Sequence, residues 1–543
     1  MNAPRIELVV LGEVVLAATP AGLETAEAIG IAGGRVVASG AASDVLRAAG
    51  PGARVERFPG AAIVPGLHDF HLHLVGMARA RREARLDGLA GDALLGAVHD
   101  AAAALPAGEW LRGRGWTEEA IAGDVLGRLA VLLADRPALV YSHDSHSAWA
   151  SPPALAAARI TTADADPPGG RIERDRSGRL TGVLRETATD LVEAVAGRLG
   201  GTALGPALDE TLAELAAWGI TAATDAGDTT AENGSGRWAA LGDRASRLLA
   251  AAPTVDGRIR LAVGVPAEAI EAAAELGLAT GAPIGEASTV RAGWAKAYAD
   301  GALGSRTAAL FEPYTCPPHD TGILRLEPEA LDDLLARGRR SGIGLAVHAI
   351  GDRAAAAVLD AIDRASPAGH GLPPHRIEHL QLLRAEDRPR LARLDVTASI
   401  QPVHCAADRP HVDRCWRDRA ALAYPWRSLA DAGVRLAFGS DAPIETANPW
   451  HGMFAAVHRR LPGDHTRDWR PGEALSPAAA LAGYTSGPAA AGAHRDEGHL
   501  HPGAVADLAV LNVDLEALQA ADERLGAAKS VLTLVGGIEV HRA

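Results

Sequence analysis

The chain has 543 residues, 48% of them apolar and 22% charged, with a formal net charge of −14. An apolar share near one half supports a large core and excludes wholesale disorder, collagen-like repeats and a small disulfide scaffold. The acidic balance argues against nucleic acid or an anionic membrane as partner, because both select a basic surface.

Residues 1–62 read as β-rich. IELVVLG and EVVLAA are expected to be two short strands, and because Glu7 and Glu13 interrupt their apolar run with no basic stretch before it, a secretion leader is not expected. AIGIAGGRVVASG and ARVERFPG continue the texture, divided by Gly and Pro turns. Residues 486–543 repeat it, with VADLAVLNVD and SVLTLVGGIEV on either side of the helical LEALQAADERLG. The two ends are expected to meet as one small β-sandwich domain, the alternative being two separate modules.

Residues 63–485 alternate short apolar strands with helical segments, the pattern of βα units and a parallel sheet. Eight strand candidates stand out: AAIVPGLHDFHLH, GITAATDAG, GRIRLAVGV, TVRAGWAKAYADG, GIGLAVHAIGD, HRIEHLQ, VTASIQPVH and GVRLAFGSDAP. Eight is the number a closed α/β barrel of the (β/α)8 TIM type requires. About residues 75–205, holding ALVYSHDSHSAWAS and DADPPGGRIERDRSGRLTGVLRE, separate the first two candidates and are expected to form an insertion over one end of the barrel. No run of 18 apolar residues suited to a membrane span occurs. The three cysteines, Cys316, Cys405 and Cys415, cannot all pair within one chain and form no CxxC spacing, which suits a reducing compartment such as the cytoplasm.

Strand C-termini of a parallel barrel converge on one face, where active sites lie. Here they carry His71 and His73, Asp225, Lys296, His348, His379, Gln401 with His404, and Asp441. Residues two apart in a strand share a face, so His71 and His73 can bind one metal ion, the alternative being that they are merely hydrogen-bonded, whereas His68 is one pleat out of phase and reads as a structural neighbour. His348 and His379 bring the nitrogen donors to four, enough for two ions if oxygen ligands complete them; singly, each is more often a satisfied buried histidine than a ligand. Asp441 can ligate a metal, take the proton of a metal-bound water or cap the next helix. Of the 53 Lys and Arg residues only Lys296 and Lys529 are lysine. A lysine in an interior strand sheds its proton more readily than arginine, and its neutral amine can form a carbamate that bridges two cations; the alternative is an ion pair with Asp300 or another acid.

The ordered stretches PGLHDFHLHL, PPGGRIERDRSGRLTGVLRE, KAYADGALGSRTAAL, HAIGDRA, RIEHLQ, SIQPVH, FGSDAP and LHPGAVADLAVL run through nearly the whole chain. Together they resemble the amidohydrolase superfamily of metal-dependent hydrolases, in its amidohydrolase-3, YtcJ-like branch, which includes N-substituted formamide deformylases. The resemblance implies a (β/α)8 barrel with a β-sandwich from both termini and one or two divalent metal ions, usually zinc. It implies His71 and His73 on the more buried ion, His348 and His379 on the other, an N6-carboxylated Lys296 as bridge, and Asp441 as ligand and general base. Glu186 matches a family position and is expected to reach the site, an ion pair within the insertion being the alternative; Arg306 is expected to contact substrate or anchor its loop. His68 and Phe70 depart from the more usual PGFIDAHVH, which puts the packing beside the metal pair in question.

The expected activity is hydrolysis of carbon–nitrogen bonds in small non-peptide substrates, linear amides or N-substituted formamides. A metal-activated hydroxide attacks, and Asp441 passes the proton to the departing amine. Trp116 and His146 in the insertion are candidates for shaping the substrate pocket, with plain packing as the alternative. A small-molecule amide is the expected partner, and association as a homo-oligomer is compatible with the sequence. Deamination or lactone hydrolysis at the same site, and a non-catalytic barrel scaffold, are the competing readings.

Overall fold

The computed structural model describes residues 5–196, 201–227, 255–284, 289–317, 319–365 and 375–543. β1 (Leu8–Thr19), β2 (Gly22–Ala32), β3 (Arg35–Gly40) and β4 (Arg54–Pro65) open the chain. Where two short strands are expected, β1 is one strand with a register shift between Leu11 and Val14. A bulge absorbs the mismatch there without ending the ladder. Alternate residues of β1 serve different cores: Val10 and Val14 pack on Ile29 and Ile63, while Val9 and Leu11 face Val45 of the helix Ala42–Ala49. β4 passes through Gly66 into β5 (Leu67–Leu72), the first barrel strand. A Cβ on Gly66 would lie 2.0 Å from Thr221 Oγ1, so only glycine allows this crossing.

The insertion follows. β6 (Ala84–Arg85), β7 (Leu111–Trp116), β8 (Ala138–Ser142), β9 (Ser147–Ala150), β10 (Gly170–Arg174) and β11 (Leu180–Glu186) form a six-stranded sheet in the order β10-β11-β9-β8-β7-β6. The sheet has its own core, in which Trp116 and Trp149 pack with Leu94, Val98 and Val140. Residues 197–200, within the expected insertion, lie outside the described residues.

β12 (Ile220–Asp225), β13 (Arg260–Pro266), β14 (Val290–Tyr298), β15 (Leu345–Ala349), β16 (Arg376–His379), β17 (Thr397–Ile400) and β18 (Leu436–Phe438) complete an eight-stranded parallel sheet with β5. The eight strand candidates of the sequence are these eight strands. The backbone N–H of Asp441 donates to the His71 carbonyl at 2.7 Å and that of His73 to Ala442 at 2.8 Å, bringing the last strand round to the first. A Cβ on Gly439 would lie 2.3 Å from the His71 nitrogen, so this approach also requires glycine. β19 (Leu508–Leu511), β20 (Ser530–Val535) and β21 (Ile538–Arg542) return to the N-terminal strands in one seven-stranded sheet, β21-β20-β19-β4-β1-β2-β3. Val36 of β3 and Leu532 of β20 share one apolar cluster although they lie towards opposite ends of that order, so the sheet curls over its own core. Arg260 donates to Asp507 through two hydrogen bonds, of 2.5 Å and 3.1 Å, which tie the sheet to the barrel.

One reading is corrected. The three cysteines do not all pair, as their odd number requires, but the fold joins Cys316 to Cys415 as a disulfide across 99 residues, leaving Cys405 free and buried. The cysteines therefore no longer argue for a reducing compartment. Asp300 accepts from the backbone N–H groups of Ala309, Ile350 and Gly351. Among the described residues no helix is long and apolar enough to cross a membrane.

Candidate metal centre

The pairing of β5 with β12 shifts register between Ala223 and Asp225, and strict alternation fails there. Phe70 packs in the barrel interior with Trp294, Ala346 and Ala437, while the next residue, His71, lines the cavity at the strand C-termini. A bulge beside an active site re-aims side chains in this way. The unusual Phe70 thus fills the layer beneath the site, with the Arg376 guanidinium 3.7 Å above its ring. His68 hydrogen-bonds Thr224 at 3.0 Å and lies outside the cavity.

His73, Lys296, His348, His379 and Asp441 line the same cavity, of about 290 Å³. Among the described residues His71, His379 and Asp441 offer ligand atoms that all lie within 4.8 Å of one another. His71 Nε2 stands 3.2 Å and His73 Nε2 3.0 Å from Asp441 Oδ1. His348 meets His379 edge to face, with ring centroids 4.5 Å apart. His404, from the first turn of the helix Pro402–Cys415, brings its Nε2 to 3.5 Å from Asp441 Oδ2. His71 Nε2, His379 Nδ1 and His404 Nε2 are buried without a hydrogen-bond partner. Buried polar atoms are almost always satisfied, so orphaned nitrogens beside a carboxylate fit a divalent cation. Asp441, at φ 61°, and His379, at φ 74°, occupy the left-handed region, as does Glu186 at φ 51°. Such conformations cost about 1–3 kcal/mol each and concentrate at functional sites.

The second partners of these rings fix their orientation. His71 donates its Nδ1–H to Glu378, a carboxylate buried between this ring and Arg376, which leaves Nε2 for the cavity. A carboxylate behind a histidine sets the tautomer and raises the basicity of the ligating nitrogen. His348 donates Nε2–H to the Gly301 carbonyl at 3.1 Å, leaving Nδ1 as its lone pair. Burial, then the neighbouring imidazoles His379 and His146, holds the His348 pKa well below its ordinary value. Burial does the same to His379, aided by His71 and Lys296 against the opposing pull of Asp441. Both rings are neutral at pH 7 and have a lone pair to give. Burial opposes the Asp441 carboxylate, but His71 and His73 outweigh it and keep the acid ionised.

The insertion supplies one wall. His146, between β8 and β9, packs on His348 with ring centroids 4.9 Å apart and donates Nδ1–H to Glu186 at 3.0 Å. Glu186 also accepts from Arg325 at 3.1 Å and Thr307, so its cavity position and its ion pairing coexist. Burial opposes charge on both partners, yet each favours the other's ionised form: the Glu186 pKa is lowered and that of His146 raised. Two expected contacts do not reach the cavity. Trp116 donates to the Val140 carbonyl at 2.8 Å inside the insertion core. Arg306 pairs with Glu118 at 2.8 Å and donates to the Pro317 carbonyl, which anchors its loop. Asp225 accepts from the N–H of Leu74 at 2.7 Å at the start of the helix Leu74–Ala80. Glu378, Tyr298 and Arg325 escaped the sequence reading. An acid next to His379 within a four-residue buried strand was a usable signal for Glu378, and the two-residue spacing from Lys296 was one for Tyr298; Arg325 carried none.

Residues 59–541 match the Amidohydrolase family. A putative amidohydrolase, YtcJ of Bacillus subtilis (strain 168), is 32% identical over 478 residues, 86% of this chain and 87% of that protein. The N-substituted formamide deformylase of Arthrobacter pascens is 28% identical over 504 residues, 90% of each chain. In structure the chain resembles an uncharacterized metal-dependent hydrolase from Pyrococcus furiosus, with a TM-score of 0.71 at 26% identity, covering 94% of this chain and 99% of that one. Barrel, polar rim and sequence agree, and the chain belongs to the amidohydrolase family of hydrolases.

Proposed function

We propose that this enzyme hydrolyses carbon–nitrogen bonds in small non-peptide amides, with N-substituted formamides as the substrate class. The observation that carries this reading is the meeting of His71, His379 and Asp441 at one cavity, with two orphaned ring nitrogens turned to a carboxylate. The substrate class is supported by the formamide deformylase that resembles this chain over most of its length. His71, His379 and Asp441, joined by His73 and His348, would hold one or two divalent cations, zinc being suited to imidazole and carboxylate donors. Lys296, buried and lining the cavity, would carry a carboxyl group on Nζ, gained when its neutral amine adds carbon dioxide and releases a proton. A bound cation supplies Lewis acidity, polarising a carbonyl and lowering the pKa of water.

The chain's own groups do the rest. Asp441, kept ionised by the imidazoles around it, takes the proton of the attacking water on a carboxylate oxygen and returns it to the departing nitrogen. His146, its Nδ1–H committed to Glu186, has Nε2 left to orient the substrate. The acidic surface agrees with a small molecule as partner rather than nucleic acid or a membrane. Metal analysis of the purified protein, with hydrolysis of N-alkylformamides before and after chelation, tests the reading. Bound zinc, loss of turnover on chelation and recovery on adding zinc are expected. Folded, metal-free protein with undiminished turnover would overturn it.

A further inference from the structure

Beside the catalytic cavity lies a second chamber of about 370 Å³ whose lining includes Ala267, Ala297, Leu326, Ala330 and Leu334. The two spaces share three side chains, Asp190, Tyr298 and Arg325, so these form the wall between them. Arg325 lies over the Tyr298 ring, 5.1 Å from its centroid, and is held on the other side by Glu186 at 3.1 Å. Tyr298 in turn packs against His348, with ring centroids 5.2 Å apart. The wall therefore stands within one ring of the candidate metal centre. Each space alone is at or near the lower end of the range for small-molecule sites, about 300–1,000 Å³.

We propose that the second chamber is an extension of the substrate site that takes the nitrogen-side alkyl or arylalkyl substituent of long amides, and that Tyr298 and Arg325 set where that extension begins. This rests on the formamide reading: a formamide has only hydrogen on its acyl side, so all its bulk lies on nitrogen. An apolar chain suits the alanine and leucine part of the lining, which the charged Glu268, Asp333 and Arg337, the first two exposed, complete. The polar groups Tyr298 and Arg325 remain at the junction, where the amide ends and the substituent starts.

Ala330 lies on the outer helix Pro328–Ser341, is exposed and does not touch the catalytic cavity. Ala330→Trp fills the chamber from outside, and Asp333→Phe, also on that helix and lining the chamber, fills it independently. Primary amines, the nitrogen-side products, report binding without turnover. By calorimetry n-octylamine is expected to bind wild-type holoenzyme about tenfold more tightly than n-butylamine, and both variants should abolish that difference. Turnover of N-methylformamide should stay within about twofold in both variants, as for a surface substitution, while N-octylformamide loses about tenfold in kcat/KM. No preference for the longer amine in the wild type, or one that survives both substitutions, would overturn the chamber's role. Failure of the enzyme to turn over any formamide would instead count against the formamide reading, with the amine titrations still deciding the chamber.

Discussion

His71, His348, His379 and Asp441 reach the cavity from strand ends of one closed sheet, whereas His146, Glu186, Arg112 and Arg114 reach it from the hairpins and strands of the insertion. The barrel groups are fixed by backbone ladders and by single buried partners, such as Glu378 for His71 and the Gly301 carbonyl for His348. The insertion groups are fixed by ion pairs with one another and with barrel loops: Arg112 with Glu193 at 2.7 Å, Arg185 with Glu118 at 2.8 Å, Glu186 with Arg325. Strand ends hold donor atoms in the tight geometry a cation needs. Charged side chains on an added sheet shape a pocket and can change without dismantling the centre. Damage to the barrel set should therefore abolish chemistry and metal binding together, and damage to the insertion set should alter substrate use with the metal retained.

The largest effect is expected at Asp441. Asp441→Asn keeps the shape but removes the charge and the proton acceptor, and should lower kcat by about 10²–10⁴-fold; steady-state turnover beside metal content measures it. Next comes Glu378→Gln, which leaves every proposed ligand in place and should weaken metal affinity by about 10–100-fold, read by competition with a chelator. An unchanged affinity would mean that the tautomer of His71 is fixed without Glu378.

On the insertion side, His146→Gln should lower kcat/KM about tenfold at full metal content, in line with losing one charge-assisted hydrogen bond of about 1.5 kcal/mol. Loss of metal in that variant would erase the distinction drawn between the two regions. The smallest effect concerns the seam between them. His143 bridges Asp87 of the insertion and Glu445 after β18, each at 3.1 Å, and these two hydrogen bonds raise its pKa from 6.5 to about 10. A histidine whose folded pKa is raised lends stability that is complete below its unfolded pKa and disappears as pH climbs through the folded one. The melting temperature of wild type should thus exceed that of His143→Asn most below pH 6.5, with the gap closing towards pH 10; a gap independent of pH would show that the bridge is not charged.

The barrel strands were legible because each is a short apolar run ending in a polar residue, as at LAVH and RIEH. The rim histidines, Lys296 and Asp441 were legible for the same reason. Three things were not. The single β1 strand hides a bulge that periodicity reads as a break. The Cys316–Cys415 pair depends on a loop and a helix end that meet only after the barrel closes. Arg306 sits in a conspicuous stretch, GSRTA, yet Glu118 of the insertion claims it.

Residue type and spacing by themselves determined which chemistry the chain has available: imidazoles, one interior lysine and a carboxylate at the ends of parallel strands, a set suited to a cation and to proton transfer. Only the tertiary structure decided which nitrogen of each ring is free, which acid stands behind it, and which arginines line the cavity rather than brace a loop. Those choices belong to neighbours hundreds of residues away in sequence, such as Glu378 for His71, and a tautomer or an ion pair is set by the partner that folding brings within hydrogen-bond distance.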